Sequence, residues 1–296
     1  MEWMRLPDGR SVLPPETILE FSDEGGRFRI TGEPVGFGGS GILYPAVRLR
    51  HTQEGWKDEE MRIVLKECYP LIRGNHLLRE DSGRIKGEVS PFYSYAKEMM
   101  RREKTVTGQI YNRGFRLVPV WAVMEKERIS LDGKTFSQAD NLYSIMERLD
   151  EKGTSLGHLL IQNKDRLTAY QSICVVNQVL RSLGEVHENG FLHGDIQENN
   201  IFMKGSDALK GELGEASLID FGSARPLLED GTTEPISDRN LYTTSGYTAP
   251  ECIRRNDGTL RLTRAADLYS AGYLALRLFT GKALDSRALG LVVNGK

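Results

Sequence analysis

Up to about residue 150, apolar residues come in short runs divided by glycine and charge: RFRITGEPV (27–35), GILYPAVRLRH (41–51), MRIVLKEC (61–68), RLVPVWAVMEKERIS (116–130) and NLYSIMERL (141–149). Extended chain turns successive side chains to opposite faces, so these runs predict five strands. A long polar interval after KEC ends in a helix-like stretch, SYAKEMMRREKTVTGQIY (94–111). Beyond residue 154 the period changes. Ile173, Val176, Leu180, Leu183 and Val186 recur at three and four spacing, which predicts a helix buried along that stripe. It stops at ENG, where Gly190 suits the left-handed position past a helix end. A second helix, DLYSAGYLALRLFTG (267–281), is apolar nearly all round and is expected to be enclosed. The shift near residue 150 predicts a strand-rich lobe joined to a helical one, an arrangement that commonly carries ligand sites.

Composition narrows the function. With 296 residues and 39% apolar content the chain supports a sizeable core, and its net charge of -2 is built from interspersed acids and bases. No long-range positive field draws nucleic acid or an anionic membrane, and neither is expected as a partner. Cys68, Cys174 and Cys252 lie far apart without metal spacing, which suits a reducing compartment, so the cytoplasm is the expected location. The start, MEWMRLPDGR, has no signal-peptide core, and no run approaches the ~18 apolar residues of a membrane span.

Four features carry chemistry. GFGGSG has G-x-G-x-x-G spacing; without side chains at Gly36, Gly38 and Gly41 the backbone can present amides to phosphate oxygens. A dinucleotide fold needs a helix directly afterwards, whereas ILYPAV reads as a strand, so a flap between strands fits better. Lys66 sits on the next strand, with Glu103 as the acid expected to hold it and Glu98 as the alternative. In FLHGDIQENNIFM (191–203), Asp195 is placed to accept a proton and Asn200 offers an amide oxygen to a metal. Asp220 in SLIDFGSAR adds a second carboxylate, with Gly222 expected to allow a sharp turn. The four in this order are far less probable together than singly.

In that order, from about Thr31 to about Lys282, the sequence resembles the eukaryotic-type, or Hanks-type, serine/threonine protein kinases. GFGGSGIL is similar to their glycine-rich loop, IVLK to the lysine strand, HGDIQENN to the catalytic loop, DFG to the magnesium loop and TTSGYTAPE to the end of the activation segment. The resemblance implies an α+β, bilobal fold: an N-terminal extension (1–30), a small β-rich lobe with one main helix (31–149) and a larger, mainly helical lobe (150–296). Asp267 is implied to lie beneath the catalytic loop.

Implied cofactors are ATP and Mg²⁺, and the implied partner is a protein carrying a Ser/Thr acceptor. Lys66 would hold the α and β phosphates and pair with Glu103, Asp195 would take the acceptor's proton, and Asn200 and Asp220 would hold the metal. Val35, Leu43, Val64 and Phe202 would sandwich adenine, with Met146 as gatekeeper and the backbone from Glu147 to Leu149 facing the base. Thr244 implies hydroxyl amino acids as acceptors.

Departures from the family are also legible. Gly194 stands where many members have arginine, leaving open how phosphorylation of Thr232, Thr233, Ser237 or Thr243 would be read. Gln197 replaces a lysine, pointing to slow turnover or an unusual acceptor. The interval from Lys66 to Glu103 is long and implies an insertion near 70–95 that covers the cleft or binds a partner. The later helices of the larger lobe are expected to be absent. Two further readings share parts of the pattern: a pseudokinase scaffold that binds nucleotide, motivated by Gln197, and a small-molecule phosphotransferase of the aminoglycoside-kinase type, where HGD also lacks a following lysine.

Overall fold

The computed structural model of the chain describes residues 3–21, 26–72, 77–86, 91–112, 120–125, 127–131, 133, 135–149, 153–164, 166–205, 213–237, 246–252 and 259–282. Two compact units emerge: Met1–Gly108 with Val118–Arg148, and Gln109–Leu117 with Leu149–Lys296.

The first unit contains β1 (Ile18–Phe21), β2 (Gly26–Ile30), β3 (Gly36–Phe37), β4 (Gly41–Thr52), β5 (Gly55–Cys68), β6 (Leu78–Arg79), β7 (Ile85–Lys86), α1 (Pro91–Tyr111, of which residues through Gly108 belong here), β8 (Val120–Met124), β9 (Glu127–Leu131), β10 (Thr135–Gln138) and β11 (Tyr143–Glu147). Nine of these strands make one sheet, ordered β10-β9-β1-β2-β4-β5-β11-β8, with β3 paired to β4. The run 116–130, expected as one strand, supplies two: β8 pairs with β11 and β9 with β1. Between them Glu125 turns to α1, where Arg101 donates to its carboxylate at 2.5 Å.

Residues ahead of 31, set apart as an extension by the sequence division, are part of this unit's core. Val12, Leu13, Leu19, Phe21, Phe28 and Ile30 are all buried with Ile42, Tyr44, Leu65 and Tyr143. The described residues of the insertion are stitched in as well. Arg79 on the β6–β7 hairpin is fully buried and donates to both oxygens of buried Glu67, at 2.9 and 2.6 Å, and to the Ser11 carbonyl at 3.2 Å. Tyr143 and Tyr44 donate to the same carboxylate at 2.7 and 3.1 Å. A charge pair held out of water survives only with its remaining polar valences filled, and the bonds from both tyrosines to Glu67 and from Arg79 to Ser11 serve that purpose here.

The second unit contains β12 (Thr154–Ser155), α2 (Leu156–Gln162), α3 (Ala169–Glu188), β13 (Phe191–Leu192), β14 (Ile201–Lys204), β15 (Glu215–Leu218), β16 (Arg225–Pro226), β17 (Ile236–Ser237), β18 (Thr259–Leu260) and α4 (Arg264–Thr280). α3 starts on a capping box, Thr168 with Gln171, which satisfies backbone donors that the first turn leaves open. It is followed by Gly190 at φ +79°, as its sequence suggests.

The buried stripe of α3 differs from the expected one. Ser172, Val175, Val179, Leu183, Val186 and His187 face inward, while Ile173 is 56% and Leu180 43% exposed. The two stripes share Leu183 and Val186 and lie one residue apart before them, and the helix buries the one carrying Ser172, whose hydroxyl bonds the Leu278 carbonyl at 3.3 Å. α4 is likewise not enclosed all round: Leu268 and Phe279 are each 52% exposed. Among the described residues no helix is long and apolar enough to cross a membrane.

Candidate active site

In the first unit, the strand register gathers the expected nucleotide residues on one face. Leu43 lies opposite Lys66, Lys66 opposite Ser144, and Val64 opposite Met146. Directly paired residues of an antiparallel ladder share a face, as do positions two apart, so Leu43, Val64, Lys66 and Met146 line one side. The alternate positions, including Leu65, Glu67, Tyr143 and Ile145, belong to the buried core. Val35 donates its amide to the Leu43 carbonyl at 2.9 Å and is half exposed; Glu147, at the end of β11, is exposed.

Gly36 pairs with Leu43, and the Gly38 amide donates to the Gly41 carbonyl at 3.0 Å, making a tight turn with Gly39 and Ser40 at its tip. A side chain at Gly41 would strike the Glu67 carbonyl, its Cβ only 2.2 Å away, so the loop's return strand needs glycine there. Lys66 donates to Glu103 on α1 at 2.9 Å, with both side chains almost fully buried. Glu98 instead faces Arg102, one turn along its own helix.

The second unit holds the acids. Asp195 follows β13 and is gripped by two amides. Asn200 donates at 2.8 Å to both the Asp195 carbonyl and Oδ2, while the Gln197 amide donates at 2.9 Å to each carboxylate oxygen. Burial pushes the Asp195 carboxyl above the usual range, and the nearby Asp220 charge adds to the rise; the bonds from Gln197 and Asn200 and the proximity of His193 oppose it. Sequence reading identified Gln197 as a missing lysine. Its hold on Asp195 is visible only in three dimensions.

Asp220 lies between β15 and a 3₁₀ turn at Phe221–Ser223. It takes the left-handed conformation itself, φ +61°, and its carboxylate accepts from the Gly222 amide at 3.4 Å. The strained residue of this turn is therefore Asp220 and not Gly222, as the sequence suggested; aspartate is among the few side chains that tolerate that region. His193 links the two acids: its ring lies 4.6 Å from Phe221, its Nε2 donates to the Ile219 carbonyl at 3.1 Å, and its Nδ1 accepts from the Asp195 amide at 3.3 Å.

Beneath the loop, Asp267 of α4 accepts from the amides of His193 and Gly194 at 2.9 and 2.8 Å and from His187 Nε2 at 2.9 Å. His187 went unnoticed in the sequence, although it falls one residue after Val186 in the inward stripe. Phe202 and Leu149 are half-buried in this unit, with the Phe202 ring against Gly153, where a Cβ would lie 2.3 Å from it.

The hydroxyls singled out as phosphorylation candidates separate into classes. Thr233 is buried, and its hydroxyl accepts from the Leu262 amide at 3.0 Å, so it is no accessible acceptor in this conformation. Thr232 donates to Asp230 at 2.7 Å. Thr243 and Thr244 lie outside the described residues, as does the side chain of Ser237.

A protein kinase domain model matches residues 95–288, well over half of the chain. The chain belongs to the protein kinase domain family. The matched span contains Glu103, Asp195, Asn200 and Asp220, while the glycine loop and Lys66 precede it. Its two units thus have a protein kinase fold, with the sheet and α1 in the first and α2 to α4 in the second.

Among similar proteins, serine/threonine-protein kinase PknD of Mycobacterium tuberculosis is 29% identical over 65% of this chain and 25% of its own length. Serine/threonine-protein kinase PknJ of Mycobacterium bovis is 33% identical over 43% of this chain and 20% of its own. Mitogen-activated protein kinase kinase kinase 4 of Mus musculus is 31% identical over 48% of this chain and 8% of its own. The chain therefore spans at most a quarter of the length of these three relatives.

Proposed function

We propose that this protein kinase domain transfers the γ-phosphoryl group of ATP, with Mg²⁺, to serine or threonine hydroxyls of protein acceptors in the cytoplasm. The observation that carries the reading is the Asp195 carboxylate, held from two sides by the amides of Gln197 and Asn200 and raised in pKa by burial and by Asp220. A carboxylate so fixed is suited to orient an acceptor hydroxyl and take its proton.

The donor set fits the metal. Asn200 spends its amide N–H on Asp195, which turns its carbonyl oxygen away, and Asp220 supplies the charged oxygen. Among the described residues no three His, Cys, Asp or Glu form a metal cage, and Mg²⁺ characteristically takes one or two protein oxygens with waters and substrate phosphates. When bound it would neutralise charge on the triphosphate.

The remaining roles belong to the chain. Lys66, fixed by Glu103, holds the α and β phosphates. The face of the first unit bearing Leu43, Val64 and Met146, with Val35 beside it and the backbone of Glu147 at the end of β11, receives adenine. Serine/threonine preference draws support from the relatives' printed names and from Thr244.

Labelled ATP with generic protein acceptors tests the reading directly. Wild type is expected to phosphorylate itself or the acceptors, and Asp195→Asn to lose roughly 10²–10⁴-fold, the usual contribution of a positioned base. Lys66→Met and Asp220→Ala are expected to be inactive, as is wild type stripped of divalent cations by a chelator. Equal incorporation by wild type and Asp195→Asn would remove Asp195 from the chemistry.

A further inference from the structure

Immediately past Cys68, β5 gives way to Tyr69, Pro70, Leu71 and Ile72. The Leu71 amide donates to the carbonyl of Gly39, at the tip of the glycine loop, at 2.9 Å. Leu71 itself is exposed, so its main chain, and not its side chain, makes this connection.

The base of the segment is firmly held. Tyr69 and Pro70 are buried, and proline restricts both its own φ and the residue before it. The Tyr69 hydroxyl donates to the Leu77 carbonyl at 2.8 Å, and its ring lies 5.2 Å from the Arg79 guanidinium, which is itself locked to Glu67. The Tyr69 carbonyl accepts from Arg10, which Asp8 holds at 2.7 Å and whose guanidinium also reaches the Gly41 carbonyl at 3.5 Å.

We propose that Tyr69–Leu71 is a strap that sets the glycine loop, with the Leu71 amide as a positioning group for a bound triphosphate. The inference rests on the reading that this loop binds phosphates. In a trans peptide the carbonyl of one residue and the amide of the next point in opposite directions. Tying down the Gly39 carbonyl therefore aims the Ser40 amide away from the strap and fixes its direction before any ligand arrives. A glycine tip left to itself samples many backbone conformations, and ordering it weakens binding. The strap removes that cost through a backbone bond, so the specificity is for phosphate and not for the base.

Calorimetric binding of a non-hydrolysable ATP analogue with Mg²⁺, and separately of adenosine, tests this on the full chain. Leu71→Pro removes the N–H at an exposed position, besides fixing φ there and restricting Pro70, and is expected to weaken the analogue about three- to tenfold, the worth of one such hydrogen bond, with adenosine affinity unchanged. Leu71→Ala keeps the N–H and is expected to bind both as wild type does. In wild type, the Leu71 amide is expected to exchange hydrogen at least about tenfold more slowly than an open-chain amide.

Undiminished analogue binding by Leu71→Pro, an equal loss for adenosine, an equal loss in Leu71→Ala, or open-chain exchange at Leu71 would each overturn the strap while leaving the kinase reading intact. A wild-type chain that binds neither ligand would overturn that reading, and the strap's role with it.

Discussion

Gln197 replaces a cation with a neutral amide, and its grip on both oxygens of Asp195 has a measurable consequence. Burial and Asp220 raise the Asp195 pKa, so a reaction that needs the carboxylate fails on acidification at a pH above the ordinary aspartate range of ~3.9. The Gln197 bonds favour the charged form and oppose that rise. Gln197→Ala is therefore expected to move the acid limb of kcat/KM to still higher pH, read from a pH–rate profile; a limb that stays in place would contradict the assignment. Gly194 makes a second case. Its φ is +79°, and a Cβ there would lie 2.7 Å from the Ser223 carbonyl oxygen. Restoring the family's arginine, or placing alanine, is expected to cost at least about 1–2 kcal/mol from the left-handed backbone alone, seen as a lowered thermal midpoint. At this scale the sequence displayed which residue types were present but not their partners, since Gln197 reaches two positions back and Ser223 lies across a turn.

Among the elements, α3 shows why periodicity leaves an ambiguity. Its three and four spacing defines a helix, but two stripes that differ by one residue over its first turns fit nearly as well, and which of them meets α4 is set by partners that the spacing does not name. Polar substitutions at exposed Ile173 and Leu180 are accordingly expected to change stability by no more than about 0.5 kcal/mol, while Leu183→Ala costs about 2–5 kcal/mol, both measurable by urea unfolding. The insertion was legible as extra length between Lys66 and Glu103. Its attachment was hidden because nothing in the linear order pairs Arg79 with Glu67, twelve residues before it, and both side chains are fully buried. Arg79→Met would strand Glu67 without its cation and is expected to destabilise by about 3–5 kcal/mol; replacing Glu67 as well should recover part of the loss.

Across the whole molecule, the order of glycine loop, lysine, glutamate, Asp195, Asn200 and Asp220 was readable because each lies in a short motif of its own, the two aspartates in HGDIQENN and DFG. Less readable was how far the first unit extends towards the amino end, because a four-residue run such as ILEF has too few alternations to stand out before its partners are known. Each unit closes a core on its own residues, from Val12 to Ile145 in one case and around Leu192, Leu260 and Leu262 in the other. Arg79→Met is thus expected to lower hydrogen-exchange protection in the first core ahead of the second. The same anchoring bears on anyone trimming the polypeptide for laboratory use. A version starting at residue 31, where the sequence division places the small lobe, would lack Ser11, Val12, Leu13 and strands β1 and β2; it would open the aromatic underside of the sheet to water and, by parting β9 from β4, leave two new sheet edges. Such a fragment should emerge from expression as insoluble material, and one starting ahead of Trp3 should not.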